Sequence, residues 1–139
     1  MMLVRTYLSS SKIEGIGIFA AEPIKSGDLI WRLDPKFDVL FTESEIEDLP
    51  PHMQDFIVRY LYPHLKQPGT WVLESDNGRF MNHSESPNTD FTQFEEGFAI
   101  RDIAAGEEIT CNYYEFDSTF RGWFPPMAKA ANGEAHAHP

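Results

Sequence analysis

The sequence predicts one mainly β domain of the α+β kind, made of several small sheets and a short helical insert. Short β-prone runs recur along the chain, each closed after a few residues by Gly, Pro, Asn, Asp or Ser. One region, about residues 42–63, carries helix start signals and a helical apolar period. At 139 residues the chain can bury one core without staples, and no second domain is expected.

Taken in order, Leu3 to Leu8 reads as a strand, followed by a Ser-rich turn and Gly15-Ile16-Gly17-Ile18-Phe19-Ala20-Ala21. The two glycines let the backbone approach another group closely or take positive φ, although an ordinary hairpin turn is the plainer reading of the spacing alone. Pro23 to Asp28 is a turn and Leu29 to Leu33 a strand. A weak internal echo appears here: Ile24-Lys25-Ser26-Gly27-Asp28-Leu29-Ile30 is matched by Ile103-Ala104-Ala105-Gly106-Glu107-Glu108-Ile109, each after a strand holding Phe19 or Phe98. The same strand-turn-strand unit is expected twice. Thr42-Glu43-Ser44-Glu45 is a capping box, and Pro50-Pro51 ends that helix and starts another. Met53, Phe56, Ile57, Tyr60 and Leu61 then make one apolar stripe, expected to pack in the core, until Pro63. Beyond the loop Gln67-Pro68-Gly69, Trp71 to Leu73 is a strand, and Ser75 to Gly78 turns the chain. Phe91 to Phe94 and Gly97 to Arg101 read as a hairpin through Glu95-Glu96, and Ile109 to Tyr114 as a last strand. Phe116, Phe120, Trp123 and Phe124 form an aromatic cluster, and residues 128–139 are expected to be a disordered tail.

Eleven Lys and Arg against 22 Asp and Glu give a net charge of -11, which repels phosphate backbones and anionic membranes and attracts basic partners. Direct nucleic-acid binding is not expected. A single cysteine, Cys111, excludes an internal disulfide framework and a Cys-rich zinc site, and no metal is expected. It reads as a small buried hydrophobe or, less plainly, a reactive thiol. The first residues lack the apolar stretch of a signal peptide and no run approaches a membrane span, so a soluble, cytoplasmic protein is expected.

The densest polar stretch is Arg79-Phe80-Met81-Asn82-His83-Ser84-Glu85-Ser86-Pro87-Asn88, a loop whose donors and acceptors could read the edge of a heterocycle. Downstream, Gly106-Glu107-Glu108-Ile109-Thr110-Cys111-Asn112-Tyr113 leads a strand to a phenol. Together with Gly15-Ile16-Gly17, these runs resemble the three ordered motifs of SET-domain protein lysine methyltransferases, over roughly residues 12–117. The resemblance implies a β-clip-like fold with a pseudoknot-like crossing, in which the C-terminal segment passes under a loop. A single SET domain would span residues 1–127, its helical insert (42–63) walling the substrate groove and its segment 116–127 closing the site. S-adenosyl-L-methionine is the implied cofactor, beside Glu14, Gly15, Ile16, Gly17, Arg79, Asn82, His83 and Trp123. Tyr113 stands at the family's catalytic tyrosine, and Phe91, Cys111 and Phe120 are the candidate substrate channel.

The chemistry agrees with that parts list. Methyl transfer to lysine needs a neutral amine, yet a free lysine has a pKa of about 10.4. Desolvation in an aromatic channel and a nearby sulfonium both disfavour the ammonium. Tyr113 fits a positioning role rather than that of a strong base. Glu85 and Asn112 replace the family's usual Cys and Asp, Cys111 stands where an aromatic often tunes methyl number, and Leu33-Asp34-Pro35 replaces a Tyr-x-Gly run. The number of methyls added is therefore open. Without flanking cysteine clusters the chain resembles minimal bacterial or viral members. The expected substrate is lysine in a basic protein segment, such as a histone, histone-like or ribosomal protein. The alternative is a catalytically silent module binding a basic peptide or the cofactor.

Overall fold

The computed structural model describes residues 1–117. Phe120, Trp123, Phe124 and the expected tail lie outside the described residues. The elements are β1 (Thr6–Ser10), β2 (Ile16–Ala20), β3 (Leu29–Arg32), β4 (Asp38–Thr42), α1 (Glu43–Glu47), α2 (Gln54–Tyr60), β5 (Tyr62–Pro63), β6 (Thr70–Glu74), β7 (Asn82–His83), β8 (Thr89–Asp90), β9 (Glu96–Ala99) and β10 (Thr110–Cys111). They form small sheets ordered β1-β2, β3-β9-β8 and β4-β6-β5, with a parallel pair β7-β10. Among the described residues no helix is long and apolar enough to cross a membrane.

The internal echo is a pseudo-twofold clasp. Ile24 and Ile103 exchange both backbone hydrogen bonds, each 2.8 Å. Gly27 donates to Ala99 O at 2.8 Å and Ala99 donates to Asp28 O at 2.9 Å; in the mate, Gly106 donates to Ala20 O at 2.8 Å and Ala20 to Glu107 O at 3.0 Å. Each turn grips the strand that precedes the other turn. The glycines take φ of 92° and 88°, a conformation that L side chains resist, so glycine is required at both. The core lies between these clasps: Ile18, Ala20, Ile24, Ile30, Trp31, Met81, Phe91, Ala99, Ile103, Ile109 and Cys111.

Three local expectations are corrected. Leu3 does not belong to β1: Leu3 N donates to Ile30 O at 2.7 Å, so the first residues pair with β3 before the chain turns out to join β2. The hairpin starts earlier than Phe91, with Thr89 opposite Ala99. It ends at Asp90 because the Asp90 carboxylate accepts from Thr92 N and Oγ1 at 2.8 and 2.6 Å, bending the chain. In the insert, Thr42 and Glu45 form the capping box and the prolines separate the helices, but no residue of α2 is buried. Helix α2 lies against the turn Asn77–Phe80: the Tyr60 ring is tilted against Phe56 at 4.9 Å and edge-on to Phe80 at 5.9 Å, and of the stripe only Leu61, past the helix end, is buried.

The segment 110–115 runs between the two ends of the loop that follows β7. On one side β10 pairs with β7, and Ser84 N donates to Cys111 O at 2.9 Å. On the other, Thr89 Oγ1 donates to Thr110 O at 2.8 Å and Phe91 N to Glu115 Oε1 at 2.9 Å. Asn88, 2% exposed, locks the crossing: its Nδ2 donates to Glu108 O and its Oδ1 accepts from Thr110 N, both at 2.9 Å. Asn88→Ala would strand the buried Thr110 N–H and the half-buried Glu108 carbonyl, and urea denaturation should show a loss of about 3 kcal/mol.

Candidate active site

Asn82 is buried, and its amide nitrogen donates to Glu14 O at 3.2 Å, Ile16 O at 3.3 Å and Glu108 Oε2 at 2.9 Å. The Glu108 carboxylate also accepts from Ser11 Oγ at 2.9 and 3.0 Å. One amide thus joins the polar loop, the Gly-x-Gly strand and the segment leading to Tyr113. The two glycines serve different needs. Gly15 has φ of 46°, and a Cβ on Gly17 would run into the Glu108 carboxylate.

His83 Nδ1 accepts from Tyr113 N at 3.0 Å, which requires that nitrogen to be unprotonated. Burial lowers the imidazole pKa, favouring that neutral form. The Tyr113 hydroxyl donates to Met81 O at 2.7 Å, and its ring lies 5.2 Å from His83. Burial pushes Tyr113 well above the ordinary phenol value of 10, so it stays protonated. Beside it Phe116 is a hub, its ring 5.2 Å from Tyr62, 5.8 Å from Tyr113 and 5.9 Å from Phe91. Phe91 is buried in the core, edge-on to Trp31 at 5.5 Å and covering Gly97. Cys111 is buried in the same core, where loss of hydration raises its thiol pKa well above 9.0 and keeps it neutral.

Three side chains here were not picked out from the sequence. Arg59 of α2 pairs with Glu14 at 3.3 Å, and burial lowers its pKa to about 10, still a cation at neutral pH. Glu74 ends β6 with its carboxylate accepting from the Tyr62 hydroxyl at 3.1 Å. Burial raises Glu74 to about 7, with Asp38 adding to the effect. Tyr62, Glu74 and Tyr113 are each half-buried, and Phe116 packs against both tyrosine rings. The available signal was strand alternation: Glu74 shares a face of β6 with buried Val72.

The SET domain family model matches residues 15–114, from the first glycine of the Gly-x-Gly strand to the residue after Tyr113. This chain belongs to the SET domain family. It is 33% identical over 103 residues to "Histone-lysine N-methyltransferase Suv4-20" of Caenorhabditis briggsae, covering 72% of this chain and 30% of that relative. Among solved structures, ctPRC2 (Chaetomium thermophilum Polycomb Repressive Complex 2) in an autoinhibited conformation bound to S-adenosylmethionine aligns with TM-score 0.60 and 26% identity, over 81% of this chain and 16% of that one. The Plasmodium falciparum putative histone methyltransferase PFL0690c aligns with TM-score 0.57 and 24% identity, over 81% of this chain and 95% of that one, a likeness of fold. The chain spans less than a third of the length of the Caenorhabditis relative.

In this SET domain Asn82 ties Glu14 and Ile16, on the segment that carries Gly15 and Gly17, to Glu108, with His83 and Tyr113 hydrogen-bonded to each other beside it. Arg79 lies with its guanidinium carbon 5.8, 5.1 and 4.7 Å from the ring centres of Phe56, Tyr60 and Phe80. Phe91 and Cys111 stand in the core behind Phe116, while Trp123 and Phe120 fall outside the described residues. Because the folded pKa of Glu74, about 7, exceeds the ordinary 4.5, its contribution to stability is full below pH 4.5 and lost as pH rises through 7. Glu74→Gln, which cannot ionise, should gain thermal stability over the wild type between about pH 5 and pH 8, read as the difference in Tm.

Proposed function

We propose that this SET domain is a protein-lysine N-methyltransferase that uses S-adenosyl-L-methionine and acts on a lysine in a basic protein segment, of histone, histone-like or ribosomal type. The observation carrying the reading is the Tyr113 hydroxyl fixed on Met81 O, beside a neutral His83 and one strand from the Asn82 knot. The residues suit the cofactor: Arg79 Nε is buried without a hydrogen-bond partner, a donor left over for a carboxylate such as that of a methionine moiety. Glu14, Gly15, Ile16 and Gly17, with Arg79, Asn82 and His83, would hold it. When bound, the cofactor supplies an activated methyl on a sulfonium. Tyr113 orients the amine, and the Phe116, Tyr62 and Tyr113 rings strip water from it, lowering its pKa. Trp123, Phe120 and the rest of segment 116–127 are the proposed cover of the site, with Phe91 and Cys111 as its backing.

The net charge of -11 supports a basic substrate, and with the lone buried cysteine supports an intracellular setting. The test is to incubate the protein with S-adenosyl-L-methionine and basic proteins and follow lysine mass increments. Wild type should transfer methyl, and Tyr113→Phe should lose about 10²-fold in rate with cofactor affinity retained, since positioning is lost. Asn82→Ala should lose cofactor binding in calorimetry. Cofactor binding without any transfer would favour a silent binding module, and no cofactor binding by the wild type would overturn the reading.

A further inference from the structure

Glu74 and the Tyr62 hydroxyl have no part in the proposed chemistry, which uses only the Tyr62 ring. They belong to adjacent antiparallel strands, Tyr62 opposite Val72, and the Tyr62 hydroxyl donates to Glu74 Oε2 at 3.1 Å. The Tyr62 ring packs edge-on against Phe116, which also packs on Tyr113 and Phe91. Tyr62 therefore flanks the same aromatic hub as Tyr113, with Glu74 directly behind its hydroxyl. The fold makes room for this carboxyl, because a Cβ on Gly78 would collide with it. No Lys, Arg or His forms an ion pair with it among the described residues. A carboxyl enclosed in this way lowers stability when ionised and forms no ion pair with a side chain, which points to a role beside the Phe116 hub.

We propose that Tyr62 and Glu74 form the proton exit for the substrate's ε-ammonium, an inference that rests on the lysine methyltransfer proposed above. An N–H bond of the ammonium breaks toward the Tyr62 oxygen while the Tyr62 O–H bond breaks toward Glu74 Oε2. Amine, phenol and carboxyl are then all neutral, and the ammonium charge has cancelled that of the carboxylate. The carboxyl afterwards yields its proton to water. The groups around Glu74 fit this cycle. Asp38 of β4 and Asp76 after β6 favour its protonated form, the amino group of Met1 opposes them, and Tyr62, Cys111 and Tyr113 stand by uncharged.

The experiment is a profile of kcat/KM against pH with a lysine peptide, for wild type, Glu74→Gln and Tyr62→Phe. Wild type should rise first through a limb near the Glu74 value of about 7 and again where lysine itself deprotonates. Both variants should keep cofactor affinity, lose the lower limb and fall by about 10²-fold near neutral pH. A purely structural role would lower rates without removing the limb, and a retained lower limb in both variants overturns the proposal. Independently of turnover, ¹³C-carboxyl NMR of the wild type should show Glu74 gaining a proton on binding the lysine peptide with S-adenosylhomocysteine, and none with its norleucine counterpart. An unchanged Glu74 resonance would overturn the proton exit even in an active enzyme. A wild type that methylates no lysine sinks the functional reading instead, and the NMR titration still decides the fate of the ammonium proton.

Discussion

The hydrogen bonds of two buried side-chain amides are the constraint on which the site depends. Asn82 holds the backbone of Glu14 and Ile16 together with the Glu108 carboxylate, and Asn88 holds Glu108 O and Thr110 N six residues further along the same loop. Backbone pairing among those three segments is sparse: Ile109 N donates to Ile18 O at 2.8 Å. β7 and β10 share only a two-residue parallel ladder, too short to fix register by itself. The amides provide donors and acceptors at lengths and angles that the backbone cannot supply, and in a dry interior each is costly to leave unpaired. Tyr113 then follows from the crossing, since the strand held at Thr110 must deliver its next turn beside His83.

The clasp formed by the two echoing turns serves a different purpose. It closes the core from opposite sides, so that β2 and β9 are gripped at equivalent places by turns far away in sequence. Strands of four or five residues bury too little to stand alone, and mutual gripping of this kind lets short strands share one core.

Much of this was legible in the sequence because it was local chemistry. The capping box at Thr42 and the glycines at 27 and 106 each act through neighbours in the chain, and the repeated turn could be read as a repeat. The mainly β class and the SET family follow from the same stretches. What was not legible depended on partners distant in the chain. The stripe Met53, Phe56, Ile57, Tyr60 and Leu61 has the period of a core helix, but a seven-residue helix meets the Arg79 turn, and its aromatic faces cover a guanidinium instead of aliphatic core. Arg59 beside Glu14, and Glu74 beneath Tyr62, are carboxylates and cations whose surroundings are set by three-dimensional contact, and spacing carries no trace of that.

Burial shifts Tyr113, Tyr62, Cys111, His83 and Glu74 in one direction, toward their uncharged forms. Tyr113, Tyr62 and Cys111 are held protonated and His83 neutral by the same loss of hydration. The ammonium of the proposed substrate would meet that bias too, its pKa falling, while the pKa of Glu74 is raised to about 7. In water the two groups differ by about six units, a gap that makes proton transfer from lysine to glutamate strongly unfavourable. Desolvation closes the gap from both sides. Under the proposed methyltransfer, a chain with a net charge of -11 attracts a lysine in its charged state, and the site must then dispose of the charge that brought the substrate in. A carboxyl whose proton affinity has been raised by the same dry surroundings is the group best matched to that transfer, and on this proposal the transfer is what offsets the cost to stability of burying Glu74.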